Sequence, residues 1–380
     1  LKLITEEHGR TVLSTRAIFL LSGIALAAWA PLVPLVRSRL HLDEGALGGL
    51  LLFLGIGSVL AMPLTGALTT RIGCRTVILS GGAVIVTVLP FLAVLDTWAG
   101  MAVALAVFGA AMGTVDVAMN LQAVLVERQT GRALMSGFHG LFSLGGILGA
   151  AGMSVLLEQG VAPVYATLTV SVLGALILVF IGPMLLPYGD DSGARGPLFV
   201  LPRGQIILLG VLSLIVFLAE GAVLDWSAVY LITVSGASIG LAGLGYAVFS
   251  VAMTVGRLSG DRLRARLGEQ RILGFGGVVT AAGFVVPLLD PSPYLGLLGF
   301  LLVGVGAANI VPVLFSAAGR TKVMPAGLAI ASVTTVGYAG MLVGPAAIGF
   351  IAELSSLDAA FLLIAAGMLF VAFSSRLFPR

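Results

Sequence analysis

Charge is scarce in this chain. Asp, Glu, Lys and Arg make up 10% of its 380 residues, against about a quarter in an ordinary soluble domain. Hydrophobic residues make up 59%, and the mean hydropathy is +1.13. A soluble fold must present a polar surface, and too few polar residues are available to build one. The surrounding solvent is therefore expected to be lipid. Cysteine is nearly absent: Cys74 stands alone, which excludes a disulfide within the chain. The histidines and this cysteine do not cluster, so neither a metal site nor a cofactor is expected. There is no nucleophile–base constellation and no phosphate-binding loop, so the chain is not expected to be an enzyme. The isoelectric point near 9.3 raises nucleic acid as a partner. The basic residues, however, sit in short loops between apolar runs, where membrane topology explains them better.

What is present is a series of apolar runs. Twelve can be marked, at about 15–36, 45–70, 76–95, 98–125, 135–157, 162–186, 205–233, 239–263, 271–289, 293–318, 325–352 and 357–378. A membrane-crossing helix needs about 20 apolar residues, whereas barrel strands are roughly 10 residues long and alternate. The first run follows Lys2, Arg10 and Arg16 and contains Ala28-Trp29-Ala30, but Pro31 follows at once and the run continues to Val36. It reads as a retained span rather than a cleaved signal. A polar stretch from Pro187 to Gly204, carrying Asp190, Asp191, Arg195 and Arg203, divides the chain near its middle. The expectation is an all-α membrane protein of twelve transmembrane helices in two pseudo-symmetric six-helix bundles, 1–186 and 205–380, joined by a cytoplasmic linker, 187–204.

Charge sets the orientation. With the N-terminus inside, 18 of the 20 Lys and Arg fall in inner loops, including Arg257, Arg262, Arg264, Arg266 and Arg271. Only Arg37 and Arg39 fall outside, where Asp43, Glu44, Asp96, Glu158, Asp290 and Asp358 also lie. The positive-inside rule thus predicts a multi-pass protein of the inner (plasma) membrane with both termini cytoplasmic. The halves also repeat weakly. Arg71-Ile72-Gly73 matches Arg266-Leu267-Gly268, and Gly145-x-x-x-Gly149 matches Gly340-x-x-x-Gly344. Gly113 precedes Asp116 as Gly306 precedes Asn309, and Trp29 in span 1 sits like Trp226 in span 7. Such matches in one order suggest a duplicated six-span unit, as in transporters with parallel repeats.

Three acids, Asp116, Glu220 and Asp225, fall inside predicted spans. An ionised carboxylate at mid-membrane costs about 2.5–3.5 kcal/mol on the insertion scale, and no Lys or Arg is expected at similar depth. Each acid must be protonated, hydrogen-bonded or facing a water-filled cavity, as a proton-coupling site requires. Asp116 has Asn120 one turn later on the same face, with Glu127 near the same stripe. The pair either exchanges a proton or locks span 4 against a neighbour. Asp225 is either functional or paired with Arg37 or Arg39. Trp226 stacks on a sugar ring or serves as an interfacial tryptophan. His139 reads as a hydrogen-bonded structural residue rather than a relay. Asn309 with Pro312 combines a buried amide with a helix breaker, and such interruptions free backbone groups that line sites. The glycine-rich faces of spans 2, 5 and 11 read as close helix packing.

Together these residues resemble the major facilitator superfamily across nearly the whole chain. The signature after span 2 is read from Gly66-Ala67-Leu68-Thr69-Thr70-Arg71-Ile72-Gly73-Cys74-Arg75, with Thr70 where the family carries an acid; the second half has Gly256-Arg257-Leu258-Ser259-Gly260-Asp261-Arg262. The resemblance implies a conformational gate at Gly66, Arg71, Gly73, Arg75, Asp261 and Arg262. Asp116-Val117-Ala118-Met119-Asn120 and Asn309-Ile310-Val311-Pro312 are most similar to the fucose:proton symporter-type branch, although span 1 lacks that branch's acid. By resemblance Asp116 is the protonated, substrate-linked carboxylate, and the working form is a monomer.

The expected function is proton-coupled symport of a small polar, sugar-like solute by alternating access between two rocking bundles, with protons and the bilayer as the other partners. Spans 1, 4, 7 and 10 would line the cavity. Proton coupling is assigned to Asp116, Glu220 and Asp225, and solute binding to Asn120, Glu220, Trp226, Asn309 and Trp29. A first rival is a proton-driven efflux antiporter for amphipathic compounds or metabolites, favoured if Met112, Met119, Phe142 and Phe249 dominate the cavity. A second is a membrane receptor or scaffold that binds ligand without flux.

Overall fold

The protein is described here by a computed structural model covering residues 2–189 and 201–378. Asp190, Asp191 and Arg195 of the expected linker lie outside the described residues. In chain order the helices are α1 (Lys2–Ala27), α2 (Val33–Arg39), α3 (Glu44–Leu92), α4 (Trp98–Thr130), α5 (Met135–Glu158), α6 (Pro163–Ile181), α7 (Gln205–Thr233), α8 (Ile239–Ala242), α9 (Leu244–Leu267), α10 (Glu269–Val285), α11 (Pro293–Ala307), α12 (Ile310–Gly319), α13 (Ala326–Leu354) and α14 (Leu357–Ser374). Several starts are capped in the ordinary way, an oxygen side chain accepting from an otherwise orphaned backbone N–H. Asp43 accepts from Ala46 N at 2.7 Å, Thr97 from Gly100 N at 3.2 Å and Ser356 from Ala359 N at 3.1 Å.

Among the described residues, ten helical stretches are long and apolar enough to cross a membrane. The stretch Ala46–Leu92 spans 47 residues, more than twice what one crossing needs. It contains Gly73 at φ 81, ψ 159, a non-helical conformation that breaks α3 in two. The α9 helix is not among the ten because Arg257, Asp261, Arg262, Arg264 and Arg266 dilute its hydropathy, although it packs on α7 and α11. Counting α3 twice and adding α9 is consistent with the twelve expected spans. Large apolar side chains such as Leu60, Val103, Val179 and Phe350 are exposed on these helices, as a lipid solvent allows.

The helices gather into two compact units. Unit 1 comprises Leu1–Arg132, Leu141–Arg203 and Gly319–Thr335; unit 2 comprises Ala133–Gly140, Gly204–Ala318 and Val336–Arg380. In unit 1, α3 packs on α4 and α6, and α1 packs on α4 and α6. In unit 2, α10 packs on α11 and α14, while α9 packs on α11 and α7.

The two units repeat one set of close helix approaches. In unit 1, Gly109 of α4 lies against Leu54 O of α3, and Gly145 and Gly149 of α5 lie against Leu20 and Ile24 of α1. In unit 2, Gly304 of α11 lies against Phe249 O of α9, and Gly340 and Gly344 of α13 lie against Leu214 and Leu218 of α7. Gly268, at φ 79 and ψ 163, repeats the break at Gly73. All four glycine pairs are separated by the same number of positions. Small residues let backbones approach where no hydrophobic force drives helices together. The expected match of Gly113 with Gly306 does not share this register: Gly113 meets Ser58 of α3, whereas Gly306 meets Thr280 of α10.

Candidate functional site

In unit 1 the polar centre belongs to α4. Residues 117–126 of this helix are buried without interruption, yet they include Asn120 and Gln122. Asn120 Nδ2 donates to Asp116 O at 2.9 Å and lies 3.4 Å from Asp116 Oδ1. The one-turn spacing expected of this pair therefore brings the two side chains together. Asp116 is half-buried, and among the described residues no basic side chain pairs with it. Gln122 does different work. Its Nε2 donates to Thr15 Oγ1 at 3.0 Å, and its Oε1 accepts from Leu186 N at 3.2 Å. It ties α4 to α1 and to the segment after α6. Sequence reasoning missed Gln122, though its position two residues after Asn120, in an apolar run, was a visible signal. Trp29 is buried just past the end of α1.

The loop residues assigned to a gate take up specific contacts in unit 1. Gly66 abuts Gly327 O and Ala331 at the start of α13, where a side chain would collide. Gly73 turns the chain so that Cys74 N donates to Tyr188 O at 3.2 Å and Arg75 N to Leu186 O at 2.9 Å. The Arg75 guanidinium donates to Leu185 O at 2.9 Å and to Pro183 O at 2.8 Å, capping the end of α6. Arg71 is exposed. At the other end of this unit, Arg39 donates to Leu92, Ala93 and Leu95 carbonyls, and Arg37 donates to Leu42 O.

Unit 2 holds a larger polar cluster, and it corrects one expectation. Arg257, expected among the inner-loop cations, is buried within α9, and its Nη2 lies 3.3 Å from Glu220 Oε1 of α7. Glu220 therefore has a cation partner at its own level. The two charges are tolerated at this depth because each offsets the other. Arg257 Nε donates to Ala308 O at 3.3 Å. That carbonyl is free for a reason written in the sequence: Pro312 has no N–H to offer it, and α11 gives way to α12 at Ala308–Asn309. Asn309 Nδ2 then donates to Gly256 O at 3.0 Å, with its amide seated against Gly260, where any side chain would strike it. Asn309 Oδ1 is buried with no hydrogen-bond partner among the described residues. His139 is buried and stacks on Phe315 at 5.6 Å between ring centroids.

Other predicted residues of unit 2 stand apart from this cluster. Asp225 is exposed on α7. Trp226 is half-buried with its ring against Gly349 of α13, and its Nε1 is buried with no hydrogen-bond partner among the described residues. Asp261 accepts from Ser136 N and Gly137 N, both at 2.9 Å, so a carboxylate caps the positive N-terminal end of α5. Arg262 is exposed. Arg264 pairs with Glu269 and donates to Ser316 Oγ at 2.9 Å. A part-buried polar contact, Tyr230 Oη donating to Asp358 Oδ1 at 3.1 Å, sits in an aromatic group with Phe300 and Phe361. Among the described residues no group of His, Cys, Asp and Glu is arranged to hold a metal ion.

Both units thus hold buried polar groups inside apolar helices, and the comparisons with known proteins place the chain in a family. The model of the Major Facilitator Superfamily matches residues 17–323. An uncharacterized MFS-type transporter of Yersinia pestis is 54% identical over 367 residues, covering 97% of this chain and 95% of that one. Two solved structures share the fold: the E. coli fucose:proton symporter, with a TM-score of 0.78, 16% identity and coverage of 97% and 98% of the two chains, and the human organic anion transporter MFSD10, with a TM-score of 0.77, 19% identity and coverage of 97% and 99%. The chain is a multi-pass membrane transporter rather than an enzyme, and it belongs to the Major Facilitator Superfamily.

Proposed function

We propose that this transporter carries a small polar solute, a sugar foremost, together with a proton, by alternating access in the inner membrane with both termini in the cytoplasm. The two halves of the sequence, 1–186 and 205–380, are its moving parts, and a monomer is the working form. The observation that carries the reading is Asp116. It is an acid in an apolar helix, held by the Asn120 amide, with no basic side chain paired to it among the described residues. Glu220 has its charge balanced by Arg257, so protonation is the simplest way for Asp116, and not for Glu220, to become neutral. A neutral Asp116 lowers the cost of a dry, closed state, which is the difference between states that coupling demands.

Solute contact is assigned to Glu220, Trp226, Asn309, Asn120 and Trp29. Two of these carry polar atoms with no partner among the described residues, a donor at Trp226 Nε1 and an acceptor at Asn309 Oδ1. Buried polar atoms are ordinarily paired, and a hydroxylated solute supplies partners for both kinds. Met112, Met119 and Phe249, which would favour export of amphipathic compounds if they lined the cavity, are buried, and Phe142 is half-buried.

The test is flux into proteoliposomes with a pH-sensitive dye inside. Adding the transported sugar is expected to acidify the interior. The substitution Asp116→Asn should abolish uphill uptake and spare counterflow exchange. Unchanged uphill uptake in that variant, or no proton movement with any sugar of a broad panel, overturns the proposal.

A further inference from the structure

The repeat of the two units breaks down at one place with a chemical consequence. Each unit has a groove beside its broken helix pair. In unit 1 the groove, about 1330 Å³, is lined by Arg10, Arg75, Pro183 and Leu185 among others. The arginine nearest the break is already committed, because the Arg75 guanidinium donates to the carbonyls at the end of α6. In unit 2 the groove, about 770 Å³, lies between the α9–α10 turn and the end of α14. Gln270 occupies the position that matches Arg75, at the same separation as Gly268 from Gly73. Three other arginines line this second groove: Arg266, Arg271 and Arg376.

All three are exposed, and among the described residues none has an acidic partner. No Asp or Glu lines the groove, and the neighbouring Glu269 is paired with Arg264. Arg376 lies over the Phe373 ring at 5.9 Å. The rest of the wall is apolar: Phe275, Val278 and Phe373 are 64%, 50% and 65% exposed on helices long enough to cross the membrane. Cations at the polar end of a groove and apolar side chains along its length match a molecule with an anionic head and acyl tails. Guanidinium groups bind phosphate oxygens in a fork that ammonium groups cannot reproduce, and basic pockets at helix ends take up anionic headgroups.

We propose that this groove is a binding site for an anionic phospholipid, with the phosphate held by Arg266, Arg271 and Arg376 and the acyl chains against Phe275, Val278 and Phe373. The test is native mass spectrometry of the full chain, purified in detergent and titrated with phosphatidylglycerol or phosphatidylcholine. The native protein is expected to retain phosphatidylglycerol adducts in preference to phosphatidylcholine. Replacing the three arginines with Gln should weaken that retention, by roughly fivefold for each cation removed. A control triple, Arg132→Gln, Arg203→Gln and Lys322→Gln, removes the same charge at exposed positions elsewhere and should leave retention unchanged. Each single Arg→Gln variant is scored too, so misfolding of the triple does not silence the test. Equal retention in native and groove variants, an equal loss in the control triple, or complete displacement of the lipid by inorganic phosphate at equal concentration overturns the site.

Discussion

Glu220 and Asp116 are both acids in apolar helices, and their neighbours give them different parts. Glu220 is held by the buried Arg257, whose Nε reaches a carbonyl that Pro312 leaves free. Truncating Glu220→Ala leaves an uncompensated guanidinium in α9, a loss of about 3–5 kcal/mol for a broken buried pair. Thermal unfolding in detergent should register a marked fall, and the apolar double change Glu220→Leu with Arg257→Met should recover most of it. Additive losses in the double variant would show that the two residues do not act as a pair. Asp116→Asn keeps the shape and the local hydrogen bond, so its effect on stability should stay within about 1 kcal/mol even as uphill uptake disappears. Stability and transport are thus expected to separate at these two acids.

At the scale of the helix, glycine sets the geometry. Gly73 and Gly268 adopt φ near +80° with extended ψ, a region that residues with a Cβ essentially do not populate. Gly73→Ala and Gly268→Ala should each cost about 1–3 kcal/mol, seen as lower melting temperatures in detergent. The loss at Gly73 is expected to be at least as large as that at Gly268, because a Cβ at Gly73 would also collide with Pro187 O. The packing glycines act differently. Gly145 of α5 and Gly340 of α13 each face a backbone carbonyl of a neighbouring helix, Leu20 O and Leu214 O. Gly145→Leu or Gly340→Leu forces those helices apart, and overpacking of this kind costs about 1–3 kcal/mol. A melting temperature unchanged by either leucine would argue against close approach there.

For the whole molecule, the distribution of charge predicts a topology that can be tested chemically. Cys74 is the one cysteine and is buried, so Cys74→Ser gives a background without thiols. On it, Asp96→Cys should react with a membrane-impermeant maleimide added to intact cells, and Arg132→Cys should react only after the membrane is opened. Labelling of both from the same side would overturn the orientation inferred from the positive-inside rule. The repeat of glycine approaches between the units supports a duplicated architecture, and the one groove where the repeat fails is where the lipid site is proposed.

The sequence by itself determined the solvent, the helical class, the approximate spans and the residues worth watching. The cost of lipid exposure is paid locally, residue by residue, so runs of apolar side chains carry it plainly. The Asp116–Asn120 pair was legible for the same reason, since one turn of helix fixes both partners. The helix break at Asn309 was legible because Pro312 lies three residues away. Only the tertiary structure decided the rest. Arg257 meets Glu220 across 37 positions, and Gln122 joins Thr15 across 107. No local rule selects such partners, because they depend on which helix faces pack together. The same holds for Asp261, a loop acid in the sequence and a cap on α5 in the fold. Periodicity predicts that a helix exists; the contacts of its polar side chains follow from packing, where a buried charge takes the one partner its neighbours bring within reach.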